Sequence, residues 1–113
     1  MADCIFCKII EGEIPSSKVY EDNDIYAFRD IEPQAPVHVL IVPKKHIESL
    51  DMCKAEDAEL LGKVMTKVSE IAKLAGITNG YRLVSNCGED GFQTVDHLHF
   101  HLLGGRPMLW PPG

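Results

Sequence analysis

His97-Leu98-His99-Phe100-His101-Leu102-Leu103 is the stretch of this sequence that decides its fold. Histidine alternates with an apolar residue, and this period of two predicts a β-strand over Leu98 to Leu103. The three imidazoles then share one face over about 13 Å, while the apolar side chains pack on the other. A core role is disfavoured because three adjacent neutral imidazoles would each need a buried partner. A solvated polar face is the alternative to a functional one.

The patterns on either side of this strand predict further elements. Apolar spacing predicts a short helix over Cys4 to Glu11, and a polar turn predicts a hairpin between its two flanking strands. The predicted strands are Ser17–Tyr20, Ile25–Phe28, Val37–Val42 and Tyr81–Ser85. A long helix is expected from about Ala55 to Ala75, ended by Gly76. Its core-facing stripe is predicted to be Leu60, Leu61, Val64, Val68, Ile71 and Leu74. Together these elements predict an α+β fold with about five antiparallel strands.

Composition limits the kind of protein this is. The chain has 113 residues, which suits one domain over 1–113. It carries 11 basic and 17 acidic residues, a net charge of −6. That balance argues against a nucleic-acid polymer as partner, although a few donors can still hold a mononucleotide. We see no apolar stretch of about 20 residues and no signal-peptide pattern, so we expect a cytoplasmic protein with no membrane partner.

The three histidines suggest two kinds of chemistry. Imidazole nitrogens can bind a metal ion, but ligands of one ion need tighter convergence than one flat strand face provides. Alternatively, a neutral imidazole attacks phosphorus while a protonated neighbouring imidazole neutralises a phosphate oxygen. A central nucleophile flanked by a cationic partner suits phosphate chemistry.

Cys4 and Cys7 form a Cys-x-x-Cys pair one helical turn apart, so both thiols face the same way. The pair is consistent with a structural zinc site, with inert thiols, or with redox activity. A structural zinc site usually needs four nitrogen or sulfur ligands. His46 and His97 are the candidates to complete the set.

Several motifs in order give this chain a family resemblance. The chain resembles the histidine triad (HIT) family of nucleotide hydrolases and transferases, and within it the histidine triad nucleotide-binding (Hint) branch. The triad pattern over 97–103 is joined by Ile5-Phe6-Cys7-Lys8-Ile9-Ile10, Phe28-Arg29-Asp30-Ile31, Pro33-Gln34-Ala35-Pro36, Ile41-Val42-Pro43-Lys44-Lys45-His46-Ile47, Asn86, Asp90-Gly91, Leu103-Gly104-Gly105-Arg106 and Trp110-Pro111-Pro112-Gly113.

The resemblance implies roles around the phosphate. It implies that His99 is the nucleophile, attacking the α-phosphorus to form a nucleotidyl-histidine. It also implies that His101 contacts the phosphate, either as a cation or as a neutral hydrogen-bond donor. Asn86 and the backbone amides around Gln93 and Thr94 are expected to add donors. Thr94 stands where the branch often carries serine, and it keeps a hydroxyl for the leaving group.

The resemblance also implies a nucleoside site. Asp30 is expected to accept hydrogen bonds from the ribose hydroxyls. The apolar slot for the base is expected to consist of Phe6, Ile9, Phe28 and Ile31, and an ordinary place in the core is the alternative for each of them. Phe92 stands where glycine is frequent in the branch and is expected to narrow the pocket mouth. His38 matches none of these roles, so we interpret it as a satisfied strand histidine.

Some members of the family that begin with Cys-x-x-Cys are similar in binding zinc, which implies Cys4, Cys7, His46 and His97 as ligands here. This zinc is expected to be structural and not required for catalysis. Trp110 lies in an apolar tail that a monomer would gain little by exposing. The resemblance implies a homodimer with this tail at the interface, and a tail packed back on its own chain is the alternative.

The implied activity is hydrolysis of purine nucleoside 5′-phosphoramidates. Hydrolysis of dinucleoside polyphosphates and a nucleotide-binding regulator with incidental catalysis are the alternatives.

Overall fold

One antiparallel sheet of five strands carries the fold. The computed structural model describes residues 3–113. The elements are α1 (Ile5–Ile10), β1 (Lys18–Glu21), β2 (Ile25–Arg29), β3 (Val37–Pro43), α2 (Ala58–Leu74), β4 (Tyr81–Val84) and β5 (Phe100–Gly104), with 3₁₀ turns at Leu50–Met52 and Ala55–Asp57. The strand order is β1-β2-β3-β5-β4 and every neighbouring pair is antiparallel. The predicted α+β fold, with one long helix and one short N-terminal helix, is confirmed.

Strand β5 begins later than the alternation predicts. Its register with β3 sets Phe100 opposite Ile41, and continuing that register would set Leu98 opposite Pro43. Proline has no N–H to donate, so the ladder ends there. His97 and His99 therefore lie in the extended segment that leads into β5, and the prediction of a strand from Leu98 was wrong at this end.

The alternation of faces still holds through this segment. Leu98, Phe100 and Leu102 are buried in the core cluster beneath α2. The triad histidines consequently face the opposite side of the sheet, which α1 covers.

Helix α2 also begins later than predicted. Residues 55–57 form a 3₁₀ turn, and the helix starts at Ala58. The Asp57 carboxylate accepts from the Lys54 amide at 2.9 Å and from Lys45 Nζ at 2.6 Å. These bonds close the turn before the helix starts, as a side-chain cap does. The start predicted at Ala55 was therefore wrong.

The buried face of α2 differs from the predicted stripe at its last member. Val64, Val68 and Ile71 are buried, whereas Leu74 is 55% exposed. Ala75 is buried instead because it continues the spacing of four residues from Ile71. Gly76 follows with φ +91°, a conformation that glycine adopts without strain, and it ends the helix as predicted.

A second, smaller core lies on the face of the sheet that α1 covers. It consists of Phe6, Ile9, Tyr26, Phe28, Leu40 and Val42. The second core supports the segment that carries the triad.

Within residues 3–113, the helices are too short or too polar to span a bilayer.

Candidate functional site

The three triad histidines are packed into the protein and do not form a solvated face. His97 is 0% exposed and His99 is 4% exposed, while His101 is half-buried. The prediction that the triad histidines are not buried was wrong, because backbone carbonyl oxygens provide hydrogen-bond partners for the rings of His97 and His99. His97 Nε2 lies 2.8 Å from the Pro43 carbonyl oxygen, and His99 Nδ1 lies 2.7 Å from that of His97. A carbonyl only accepts, so in each pair the ring nitrogen carries the proton.

This assignment determines what each ring offers on its other side. His99 donates through Nδ1, so its Nε2 keeps a lone pair in the neutral ring. Burial lowers the pKa of His99, opposed by its bond to the His97 carbonyl and by the charge of Asp30. His99 is therefore neutral near pH 7 and has one unprotonated nitrogen.

His101 is oriented by a histidine outside the triad. The Gln34 amide donates to His38 Nδ1 at 3.0 Å, so the neutral His38 ring carries its proton on Nε2. His38 Nε2 lies 2.8 Å from His101 Nδ1 and donates to it. The proton of His101 is therefore on Nε2, which makes that nitrogen a donor.

The charge of His101 follows from the same surroundings. Burial, then the neighbouring His99 and His38, lower its pKa to about 4, against an opposing effect of Asp30. His101 is consequently a neutral hydrogen-bond donor near pH 7. Of the two forms that the sequence left open, cation or donor, the structure favours the neutral donor.

His38 is the site residue that sequence reasoning missed. It is 5% exposed on β3, and its register places it diagonally across from His101 on the same face. A signal was present in the sequence, because His38 interrupts an otherwise apolar buried strand. It is a satisfied strand histidine, as interpreted, and it is also part of the site.

A cavity of about 520 Å³ opens beside this histidine pair. Its walls are Asp30, Ile31, Glu32, Gln34, His38, Val84, Asn86, Phe92, Thr94, His101 and Leu103. Five residues predicted to bind nucleotide are among them: Asp30, Ile31, Asn86, Thr94 and His101. The cavity is large enough for a small organic ligand and combines an apolar wall with convergent polar groups.

The other five predicted nucleotide contacts do not line this cavity: Phe6, Ile9, Phe28, Gln93 and His99. Phe6, Ile9 and Phe28 belong to the second core and do not line this cavity. The Phe6 ring stands edge-on to His99 at 5.1 Å between centroids. These aromatic and aliphatic side chains therefore support the histidine segment from behind, whereas Ile31, 96% exposed, faces outward at the cavity.

The loop between β4 and the triad is held by its own side chains. Asn86 Nδ2 donates to the Gly91 carbonyl at 2.6 Å. The Gln93 side-chain amide donates to the Glu48 and Val95 carbonyls, and its backbone amide donates to Gly88. The Gln93 backbone amide, expected to be a phosphate donor, is thus engaged within the loop.

Phe92 has an unusual backbone conformation at the cavity rim. Its φ is +60°, the only positive φ of a non-glycine residue in the described range 3–113, and its side chain is 78% exposed. A side chain in this region costs about 1–2 kcal/mol. The exposed ring offers little burial to compensate, so the conformation is strained.

Replacing Phe92 with glycine is expected to raise the free energy of unfolding by about 1 kcal/mol, because glycine adopts this φ without strain. Urea unfolding measures the effect. Phe92→Leu is the matched control, since it removes the ring but keeps a β-carbon. A glycine variant no more stable than the leucine variant would contradict the strain argument.

A second cluster gathers four sulfur and nitrogen atoms at the start of α1. Cys4 Sγ lies 3.3 Å and Cys7 Sγ 3.6 Å from His97 Nδ1. His46 Nδ1 lies 3.4 Å from Cys7 Sγ and 3.2 Å from His97 Nδ1. Tetrahedral zinc with ordinary bond lengths needs edges of about 3.6 Å for S···N and about 3.4 Å for N···N. The donor set therefore fits zinc in both chemistry and size.

The tautomer of His97 also fits a zinc site. Because Nε2 donates to the Pro43 carbonyl, Nδ1 offers its lone pair to the cluster. Burial, followed by the neighbouring Cys4, raises the pKa of the Cys7 thiol to about 11. A thiol of that kind is a poor nucleophile near pH 7.

Asp30, His38 and His101 also bring ligand atoms within 4.8 Å of one another. Their arrangement suits a hydrogen-bond relay better than a metal. The 2.8 Å between His38 Nε2 and His101 Nδ1 is shorter than the roughly 3.4 Å edge of a tetrahedral zinc site, and it needs a proton where a ligand must have none.

The comparisons with known proteins agree with this fold and site. The family model described as "HIT domain" matches residues 11–108. An uncharacterised HIT-like protein of Synechococcus elongatus is 55% identical over 98% of this chain and 97% of its own. A 14 kDa zinc-binding protein of Zea mays is 52% identical over 96% of this chain and 87% of its own.

Solved structures lead to the same class. A HIT family hydrolase from Legionella pneumophila superposes with a TM-score of 0.93 at 52% identity, covering 98% of this chain and 100% of that one. A histidine triad protein from Clostridium difficile gives a TM-score of 0.92 at 46% identity, covering 96% of both chains. An open five-stranded sheet with a histidine triad, whose last member lines a cavity, thus defines a hydrolase-type fold and site. The chain belongs to the HIT family.

Proposed function

We propose that this protein hydrolyses purine nucleoside 5′-phosphoramidates, in which AMP or GMP is joined to an amine, and that it belongs to the Hint branch. The observation that supports this most directly is the His99 ring. Its Nδ1–H is bound to the His97 carbonyl, which leaves Nε2 with a lone pair. A buried, neutral imidazole held in one tautomer is a suitable nucleophile for phosphorus.

The reaction proceeds in two displacements at the α-phosphorus. His99 Nε2 forms a bond to phosphorus while the bond from phosphorus to the amine nitrogen breaks, and the amine departs with that electron pair and gains a proton. Water then attacks phosphorus and gives up a proton to the solvent, which replaces the proton that the amine took from the solvent. The bond to His99 breaks, its lone pair returns to Nε2, and the nucleoside monophosphate is released. Covalent catalysis divides one difficult step into two.

Neutral donors stabilise the phosphate during both displacements. His101 Nε2–H lies on the cavity wall 5.1 Å, between ring centroids, from His99. It donates to a phosphate oxygen as negative charge develops there. The Thr94 hydroxyl assists the leaving amine, and Asn86 provides a further amide donor. Gln93 contributes by holding the loop that carries Thr94.

The nucleoside occupies the outer part of the cavity. Asp30 Oδ1 accepts from the Glu32 amide at 2.8 Å, which orients the carboxylate toward the ribose hydroxyls. Ile31 supplies the exposed apolar surface for the base. Phe6, Ile9 and Phe28 act indirectly, by packing behind the histidine segment.

The second cluster would hold a structural zinc ion. Cys4, Cys7, His46 and His97 are its ligands, and the fit of their spacings supports the assignment. When bound, zinc links α1 to the segment before β5 and so stabilises the site without taking part in the chemistry.

Residues 1–113 form one HIT domain, cytoplasmic, that assembles as a homodimer. The tail supports this assembly because Leu109 and Trp110 are 79% and 82% exposed and do not pack into their own chain. Arg82 holds the tail beside the edge strand β4 by donating to the Leu109 carbonyl at 2.8 Å. Contact with a second copy would bury this apolar tail.

The test offers two substrates to the purified protein. We expect AMP release from an AMP–tryptamine conjugate at least tenfold faster, in kcat/KM, than from diadenosine tetraphosphate, with His99→Ala as the blank. A preference for the dinucleotide would favour the polyphosphate alternative. Tight AMP binding without turnover of either would favour the regulatory one.

A further inference from the structure

A backbone peptide, that of Gln34, lies between a residue of the C-terminal tail and the histidine pair of the cavity. Its N–H donates to His38 Nδ1 at 3.0 Å, and its carbonyl accepts from Arg106 Nη2 at 3.0 Å. The side-chain amide of Gln34 donates instead to the Glu32 carbonyl. The peptide itself therefore makes the contacts that matter.

The loop that carries Gln34 is packed closely against the turn that follows β5. Gly105 in that turn has φ +90°, and a β-carbon added to it would stand 2.9 Å from Pro36 Cβ. Only glycine permits this close approach. Ala35, beside Gln34, is buried. The position of the Gln34 amide is thus set by packing as well as by Arg106.

An imidazole pair can hold its two protons in two ways. With a donor at His38 Nδ1, the His38 proton must be on Nε2, and His101 then carries its own proton on Nε2. Without that donor the reverse arrangement becomes available, with His38 protonated on Nδ1 and His101 on Nδ1. In that arrangement His101 Nε2 presents a lone pair, which repels an anionic phosphate oxygen.

We infer that the Gln34 peptide, anchored by Arg106, is a positioning group that sets the tautomers of His38 and His101, so that His101 presents an N–H to the substrate. The catalytic consequence rests on the proposed function. The tautomer assignment does not, because it concerns the protein without substrate.

Two substitutions at Gln34 isolate its N–H. Gln34→Pro removes both the side chain and the amide hydrogen, whereas Gln34→Ala removes the side chain alone. Nitrogen-15 NMR of the histidine-labelled full chain near pH 7 reports which ring nitrogen is protonated. We expect His101 to be protonated on Nε2 in the wild type and in Gln34→Ala. In Gln34→Pro we expect a substantial population protonated on Nδ1, together with a kcat at least about 10-fold below that of Gln34→Ala.

Arg106 provides a second route to the same test if the proline variant does not fold. Arg106→Ala is expected to shift the His101 nitrogen signals part of the way toward the reverse tautomer. Arg82→Ala is its matched control, because Arg82 also donates to a carbonyl of the tail, that of Leu109, but does not contact the loop of Gln34. Its nitrogen signals are expected to match the wild type.

The outcomes separate this inference from the proposed function. A wild-type His101 protonated on Nδ1, or folded Gln34→Pro and Arg106→Ala variants with wild-type tautomers, would overturn the inference even if the protein hydrolyses phosphoramidates. Tautomers that shift as expected in a protein without hydrolytic activity would support the inference while the proposed function fails.

Discussion

Replacing His99 with alanine is expected to lower kcat for an AMP–amine conjugate by roughly 10⁴- to 10⁶-fold, the usual effect of deleting a catalytic nucleophile. The physical reason is that neither neighbouring imidazole, His38 or His101, offers an unprotonated nitrogen in place of His99 Nε2. In the described structure His101 directs an N–H toward the cavity, and His38 uses both nitrogens in hydrogen bonds. The remaining rate should reflect phosphate binding alone. Steady-state kinetics with a chromogenic or fluorescent amine measures the change.

His99→Asn is the matched variant for this experiment. Its side-chain amide can still donate to the His97 carbonyl, but it has no nucleophilic nitrogen. We expect it to fold and bind AMP, yet to be as inactive as the alanine variant. Mass spectrometry after rapid acid-free quenching should find a nucleotidyl adduct on the wild type only. An asparagine variant with near-normal turnover would exclude His99 as the nucleophile.

Replacing Cys7, a proposed zinc ligand, with serine is expected to lower the free energy of unfolding by about 4 kcal/mol at free zinc about 1,000 times its Kd. A metal ion that binds only the folded state stabilises that state. The stabilisation is lost when one of the side chains that bind the metal is removed. Urea unfolding of the zinc-loaded protein, with elemental analysis, measures both quantities.

Cys53→Ser is the control for the metal experiment, because Cys53 is also half-buried but contacts the Ser49 carbonyl and lies outside the cluster. It should retain about one zinc per chain and lose far less stability. Chelation of the wild type should reproduce the Cys7→Ser result. Equal stability of the wild type with and without zinc would remove the structural role that we propose for the metal.

Much of the fold could be predicted because its elements are marked by strong periodicity. The alternation around His99 identified the two faces correctly, since side-chain direction depends only on local backbone geometry. The exact limits of the elements depend on distant partners. Strand β5 begins at Phe100 because Pro43, far away in sequence, cannot continue the ladder. The start of α2 depends on an ion pair between Asp57 and Lys45 that spacing does not reveal.

The part of the site whose residues belong to recognisable sequence motifs could be predicted. Residues taken from the resemblance fall on two clusters, one with Cys4 and His97 and one with Asp30 and His101. His38 was missed because its role depends on the pairing of β3 with β5, which brings it to His101. Phe6 and Phe28 lie in the second core, and the sequence left base slot and core open for them because an apolar residue of either kind looks alike in sequence.

The position of residue 97 has a practical consequence for redesign. Its ring nitrogen Nδ1 faces the cysteines, while its main-chain carbonyl accepts the proton of His99 Nδ1. Every amino acid possesses that carbonyl. A designer can therefore exchange the imidazole at position 97 for another ligand type and keep the orientation of His99, provided that the main chain stays where it is. A change that moves the main chain at residue 97 would alter both the cysteine cluster and the orientation of the His99 ring, even if every side chain were retained.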